Sequence, residues 1–318
     1  MKITVIGCGR WGSLIAWYLD NIKNEVTLYG RANSKHMQRF KTERKNDVLE
    51  LPESIILSND LATVKEAEII VISINSQRLQ ALMNELKNYH LVNKIFILCM
   101  KGIEISTGRR LSEIAKYNLD ESNHVAVWLG PGHVQELYKG IPNCMVIDSD
   151  DEETKRCLVD NLSSELIRFY YGQDLIGNEI GAATKNVIGI AAGMLDGLQL
   201  SSLKGALMSR GTREVARLIK AMGGNELSAY GLCHLGDYEA TVFSKYSHNR
   251  QFGESFIKAE PYNDLAEGYY TVKAVLILAK KYHVDMPISM AVYKILYDQE
   301  DAKQALNSLF LRSLKSEF

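Results

Sequence analysis

The sequence predicts an α/β protein: a doubly wound parallel sheet in the first half and an all-α second half. Three observations predict this. Short apolar runs alternate with stretches of helical spacing up to about residue 171. From about Gly177 onward every periodic stretch has the helical spacing. At 318 residues the chain is long for a single hydrophobic core. Two domains are therefore expected, a sheet domain over 1–175 and an all-helical domain over 176–318.

The elements follow in order. Residues 2–6 (KITVI) read as a strand, Gly7-Cys8-Gly9-Arg10-Trp11-Gly12 as a turn, 13–20 as a helix and 26–29 as a second strand. A loop containing Pro52 separates these from a short strand at 54–57 and a short helix at 61–67. The continuous apolar runs 68–74 (EIIVISI) and 94–100 (KIFILCM) have the pattern of buried parallel strands. Helices are expected at 78–89, 109–117 and 152–164, and further strands at 125–129, 144–147 and 167–171. In the second half the helical stretches are 179–195, 204–222, 266–282, 288–298 and 301–310, punctuated by Gly223-Gly224, Gly231, Gly236, Pro261 and Pro287. Residues 312–318 read as a frayed, solvated tail.

The opening strand, glycine turn, helix and strand form the unit that holds a dinucleotide, so the sheet is Rossmann-like. Gly7 lets the chain turn off the strand, Gly9 lets backbone approach a pyrophosphate, and Gly12 lets the helix pack close to the strand. The helix N-terminus then faces the anion. The second strand ends Leu28-Tyr29-Gly30-Arg31, with no carboxylate to grip ribose hydroxyls and repel a 2′-phosphate. Arg31 could pair with such a phosphate or lie solvated, so the expected cofactor is NADP or NAD.

Composition excludes several classes. The net charge of −1, with 46% hydrophobic and 24% charged residues, gives no basic surface for nucleic acid and no polybasic membrane patch. The first strand starts at Lys2, leaving no room for a signal peptide, and the apolar stretch 186–200 is too short to span a bilayer. A cytoplasmic protein is expected. The five cysteines have no metal-ligand spacing and read as buried free thiols, so no metal site is expected.

The loops after the strands carry the candidate chemistry, because ligands of such sheets bind at the carboxyl ends of the strands. These are Asn75-Ser76-Gln77, Lys101-Gly102-Ile103-Glu104 and Gly130-Pro131-Gly132-His133. Lys101 would put a cation where cofactor and substrate meet, or simply reach water. Lys185 lies in a stretch of small and apolar residues, Ile180 to Gly193, that should be buried on every face. A buried ammonium must be paired or lose its proton, and desolvation makes a lysine a competent acid or base. Asp237, closing Gly231-Leu232-Cys233-His234-Leu235-Gly236, is a natural counter-charge. Ser247-His248-Asn249-Arg250 has the inventory of a phosphate pocket, and equally that of an ordinary polar loop.

Together these segments resemble the bacterial NAD(P)-dependent glycerol-3-phosphate dehydrogenases. The resemblance rests on the glycine turn, Lys101-Gly102-Ile103-Glu104, Gly130-Pro131, the stretch Ile176-Gly177 to Gly193 with Lys185, Asp196-Gly197, Ser209-Arg210-Gly211, Leu235-Gly236-Asp237, Asn249-Arg250-Gln251-Phe252-Gly253 and Glu267-Gly268. It implies reversible hydride transfer between NAD(P)H and dihydroxyacetone phosphate, giving sn-glycerol 3-phosphate, in glycerophospholipid biosynthesis. It implies that Lys185 is the proton donor and acceptor, that Lys101 touches cofactor and substrate, and that Asp237 stands beside the active lysine. Arg10, Trp11, Arg31, Val134, His248, Leu265 and Glu267 match cofactor contacts; Gly130, Gly132, Ser247, His248, Asn249 and Arg250 match the substrate side.

Four features depart from the pattern, one of them a shorter segment between Gly253 and Glu267. His248 replaces an arginine, Gly132 stands where a serine or asparagine is usual, and Tyr238-Glu239-Ala240 replaces an apolar stretch. These changes fall on the substrate's phosphate side and keep two alternatives in view: a related reductase of another hydroxy acid or sugar phosphate, and a catalytically weak NAD(P)-binding paralogue. A homodimer formed through the helical half is a further expectation.

Overall fold

The computed structural model describes residues 1–312; the tail expected at 313–318 lies outside the described residues, while Arg312 is ion-paired with Asp285. The chain forms two compact units. One comprises Met1–Lys101 and Arg109–Leu175; the other comprises Gly102–Gly108 and the chain from Ile176 onward. The seven residues 102–108 thus leave the sheet unit and join the helical one.

The sheet unit runs β1 (Lys2–Ile6), α1 (Arg10–Asn21), β2 (Glu25–Tyr29), α2 (Lys35–Glu43), β3 (Ile56–Ser58), β4 (Ile69–Ile72), α3 (Leu79–Leu86), β5 (Ile95–Leu98), α4 (Leu111–Asn118), β6 (His124–Leu129), α5 (Val134–Tyr138), β7 (Asn143–Ser149), α6 (Glu152–Leu162) and β8 (Ile167–Tyr171). The eight strands lie in the order β3-β2-β1-β4-β5-β6-β7-β8. β4 is buried at every residue, and so is β5 after its first residue, as apolar runs covered on both faces require.

The sheet is parallel except at one place: β7 runs antiparallel to β6, and β8 is again parallel to β7. The connection from β6 to β7 carries only the five-residue α5, about 7.5 Å of helix, and β7 starts at the edge where β6 ends.

Three helices absent from the sequence reading appear, two of them in the sheet unit. α2 occupies the stretch read as loop. It is capped by Ser34, whose hydroxyl accepts from Met37 N, and it buries only Met37 and Phe40. With so few apolar anchors its periodicity is weak. α5 is too short to show any periodicity. Other elements shift by a few residues; the helix expected at 61–67 is a 3₁₀ turn over Leu61–Lys65.

In the helical unit α7 (Leu175–Gly197) is central, and every residue over 179–195 is buried. Around it lie α8 (Lys204–Ala221), α9 (His248–Ile257), α10 (Glu267–Lys281), α11 (Pro287–Tyr297) and α12 (Ala302–Phe310). The glycines of α7 act as contact points rather than breaks. A Cβ on Gly193 would lie 1.9 Å from Arg250 O, and one on Gly253 of α9 would lie 2.2 Å from Ile190 O. The two backbones therefore cross in direct contact. Ser247 caps α9, accepting from Arg250 N at 3.3 Å, so the polar run read as loop or phosphate pocket is the first turn of a helix.

The five cysteines are free, but only Cys8, Cys99 and Cys233 are buried; Cys144 is half-buried and Cys157 lies exposed on α6. The helix periodicity of α6 turns Cys157 outward, which corrects the expectation of uniformly buried thiols. Among the described residues no helix is long and apolar enough to cross a membrane, and no group of three or more His, Cys, Asp or Glu could hold a metal ion.

Candidate functional site

The carboxyl ends of β1, β2, β4, β5 and β6 share one edge of the sheet, because these strands are mutually parallel. The glycine turn leaves β1 there. Gly7 has φ +114°, and a Cβ on it would sit 2.1 Å from Ser73 O. Only glycine accepts both the conformation and the closeness. Gly12 is equally confined, its Cβ position lying 1.9 Å from Gly7 O, so α1 packs directly on the turn. Gly9 differs: nothing lies within 4 Å of its Cβ position. It caps α1 with extended backbone, and the first N–H taken up inside the helix is that of Ser13, bonded to Gly9 O at 2.9 Å. Open space over a side-chain-free residue at a helix N-terminus fits a pyrophosphate, so the residues present fit a dinucleotide.

At the end of β2, Arg31 is half exposed and bonded to Glu85 at 3.2 Å. Such a surface pair is weak and exchangeable for another anion. Lys101, after β5, donates to Gly130 O, after β6, at 2.6 Å, which ties two loops of the same edge together. Gly130 needs its positive φ of +129°. Gly132 lies beside Trp11 and Leu137, whose side chains would be 3.5 and 3.3 Å from a Cβ there. Val134, matched to a cofactor contact by the resemblance, packs its side chain into the sheet unit's core.

The second group of residues lies in the helical unit. Lys185 Nζ is 2.8 Å from Asp237 Oδ2, and donates to Thr241 Oγ1 at 2.6 Å. Lysine and aspartate side chains are 8% and 1% exposed. Asp237 comes from a 3₁₀ turn, Leu235–Asp237, and Thr241 from a single π turn, Glu239–Phe243. Thr241, one turn beyond Asp237, was not singled out by the sequence reading. Its only sequence signal is the four-residue spacing.

Of the substrate-side residues, Asn249 links three helices: its Nδ2 donates to Asn186 Oδ1 at 3.0 Å, and its Oδ1 accepts from Gly268 N at 2.9 Å. His248 Nδ1 is 3.0 Å from the hydroxyl of Tyr262 and 3.7 Å from Asp264, so the imidazole that replaces the arginine has acidic and phenolic company. Arg250 is occupied elsewhere. Its guanidinium binds Asp196, Glu254 and Ser244 O, and Asp196 also takes Lys204 at 2.7 Å. The burial of Asp196 opposes its ionisation, but the bonds from Lys204, Ser201 and Arg250 prevail and hold its carboxyl below the usual range. The guanidinium is thus committed to partners within the helical unit. Leu265 is exposed and Glu267 opens α10.

Two family models cover the chain: the NAD-dependent glycerol-3-phosphate dehydrogenase N-terminus matches residues 2–155 and the C-terminus of the same family matches 174–307. The chain belongs to the NAD-dependent glycerol-3-phosphate dehydrogenase family. It is 35% identical to the glycerol-3-phosphate dehydrogenase [NAD(P)+] of Fusobacterium nucleatum, over 100% of this chain and 98% of the relative. It is 35% identical to that of Thermotoga sp., over 100% and 99%. The crystal structure of glycerol-3-phosphate dehydrogenase from Coxiella burnetii superposes with a TM-score of 0.91 at 28% identity, covering 98% of this chain and 99% of that one. As a member of this dehydrogenase family the chain is an NAD(P)-dependent oxidoreductase acting on a CH–OH group. The sequence expectation of a doubly wound sheet followed by a helical domain is met, with β7 and β8 running opposite to the other six strands.

Proposed function

We propose that the chain interconverts dihydroxyacetone phosphate and sn-glycerol 3-phosphate using NADPH or NADH, with Lys185 as the group that moves the proton. The buried Lys185–Asp237 pair carries the reading. An ion pair so deep gives little net stability, since desolvation offsets its attraction, so its retention fits a chemical use. A reduced nicotinamide, when bound, would supply the hydride that the ketone carbon accepts. Lys185 stabilises the negative charge that grows on the substrate oxygen and delivers a proton to it. In the reverse direction the neutral amine takes the hydroxyl proton. Asp237 and Thr241 hold the lysine head at one position, so its proton is aimed before substrate arrives.

On this reading Gly7, Gly9, Arg10, Trp11 and Gly12 hold the pyrophosphate side of the cofactor and Arg31 the adenosine end, and Lys101 is assigned to contact with cofactor and substrate. Ser247, His248 and Asn249 take the substrate phosphate. Arg31 stands where a carboxylate would reject NADP, which favours acceptance of both cofactors. The full-length relatives disfavour the two alternatives, another reductase or an inert paralogue. A cytoplasmic homodimer completes the proposal; sedimentation at micromolar concentration tests the oligomeric state.

The deciding assay is oxidation of NADH and NADPH, side by side, on addition of dihydroxyacetone phosphate. Turnover with either is the expected result. Cofactor binding without turnover over a broad pH range rejects the assignment.

A further inference from the structure

His234 and Tyr238 sit directly behind the Lys185–Asp237 pair and make no part of the chemistry above. Both are completely buried. His234 Nδ1 lies 2.8 Å from Gly181 O, and His234 Nε2 lies 2.7 Å from the hydroxyl of Tyr238. The roles are fixed by elimination. A carbonyl only accepts, so Nδ1 carries the hydrogen. In a neutral imidazole Nε2 is then an acceptor, and Tyr238 must donate to it. The two rings also meet edge to face at 4.8 Å. Burial pushes the imidazole pKa down to about 4, which keeps the ring neutral at working pH.

The contacts of His234 reach both members of the ion pair through their backbones. Gly181 is one helical turn before Lys185 on α7, and its carbonyl is the one an α-helix bonds to the N–H of residue 185. The imidazole therefore donates to the peptide that supports Lys185, a carbonyl that also takes the Thr184 hydroxyl at 3.3 Å. On the other side, the N–H of Asp237 donates to the carbonyl of His234 at 3.0 Å. A Cβ on Gly181 would lie 3.0 Å from His234 Cβ, so ring and helix are held at contact. One residue thus spans from the turn that carries the acid to the turn that carries the amine.

We propose that His234, oriented by Tyr238, is a positioning residue that sets the register between Lys185 and Asp237. The inference rests on the reading of Lys185 as the proton-moving group. If the strut is lost, the lysine and aspartate still pair, but the ammonium is aimed less well. The step that uses it slows, while substrate and cofactor affinity, set by other residues, changes little.

The test uses four variants of the full chain with steady-state kinetics on dihydroxyacetone phosphate and NADPH. Tyr238→Phe removes the orienting donor. His234→Leu removes both ring contacts. His234→Asn keeps an N–H near the Nδ1 position. Lys185→Ala provides the reference. Tyr238→Phe and His234→Leu are expected to lose about ten- to a hundredfold in kcat, with KM and cofactor Kd within about threefold of the parent. The pH profile of kcat should move, and His234→Asn should recover most of kcat. A packing role alone would lower the melting temperature of His234→Leu and His234→Asn alike and leave the kcat profile in place. Parent-like kcat and pH profile in folded Tyr238→Phe, with an active parent and an inactive Lys185→Ala, overturn the inference while sparing the assignment of Lys185. An inactive parent, or an active Lys185→Ala, overturns both. If His234→Leu fails to fold, Tyr238→Phe and His234→Asn alone decide the matter.

Discussion

The Lys185 ammonium lies 2.8 Å from the Asp237 carboxylate, with the two side chains 8% and 1% exposed. Removing either partner leaves an uncompensated charge in the interior, which costs about 3–5 kcal/mol, whereas replacing both with apolar groups is often neutral. Lys185→Ala and Asp237→Ala should each lower the melting temperature and abolish turnover, with NADPH affinity nearly unchanged. Lys185→Met combined with Asp237→Leu should regain much of the stability and none of the activity. Calorimetry and kinetics on the three proteins test this separation. Recovery of turnover in the double variant rules the proposed chemistry out.

Gly9 and Gly12 stand three residues apart but predict opposite phenotypes. A Cβ on Gly9 meets nothing within 4 Å, while one on Gly12 meets Gly7 O at 1.9 Å. Gly9→Val should fold with little loss of stability and bind NADPH at least about tenfold more weakly, because the branched side chain fills the space above the turn. Gly12→Ala should lose stability by about 1–3 kcal/mol through overpacking. Cofactor titration and thermal melts on both variants give the answer; undiminished NADPH affinity in Gly9→Val would remove the pyrophosphate from this turn.

Gly193 and Gly205 form a second contrast within the helical unit. The Cβ of an alanine at 193 would collide with Arg250 O, whereas at exposed Gly205 in α8 it meets nothing within 4 Å. Gly205→Ala should stabilise the protein by about 0.4–1 kcal/mol by restricting the unfolded chain. Gly193→Ala should destabilise it by more than that, as α7 and α9 are pushed apart. Denaturant midpoints that move in the same direction for both would contradict the backbone contact.

The buried imidazole of His234 has a consequence for acid stability. Its folded pKa is near 4, lowered by burial, against an ordinary value of 6.5. Between these values the unfolded chain binds the proton that the folded chain does not, so stability falls as pH drops through 6.5 and the loss is complete near 4. The contribution is on the order of 3 kcal/mol. His234→Asn should flatten this part of the stability curve when unfolding is followed from pH 7 to 4. A slope equal to the parent's would mean the imidazole takes up its proton without unfolding.

Much of the site could be read from residues whose type conflicts with their surroundings. Lys185 in an apolar stretch announced both its burial and its need for Asp237, and the glycine spacing of residues 7–12 announced the turn. What escaped was set by contacts distant in the chain. Arg250 looked available for a phosphate because its partner Asp196 is 54 residues away and on another helix. His234 looked like an ordinary residue of a glycine-rich segment and Tyr238 like a mere departure from an apolar stretch, since the contact of His234 is with the carbonyl of Gly181, 53 residues earlier. α2 and α5 escaped for a different reason: one buries two side chains and the other spans five residues, so neither leaves a periodic trace.

The excursion of residues 102–108 bears on how the protein can be taken apart. Ile103, fully buried, belongs to the core of the helical unit although it precedes most of that unit by more than seventy positions. A single cut between 175 and 176 would leave one fragment carrying a stray apolar side chain and the other lacking a piece of its interior. Neither is a self-sufficient module. During synthesis the same segment leaves the ribosome well before the helices that share its core.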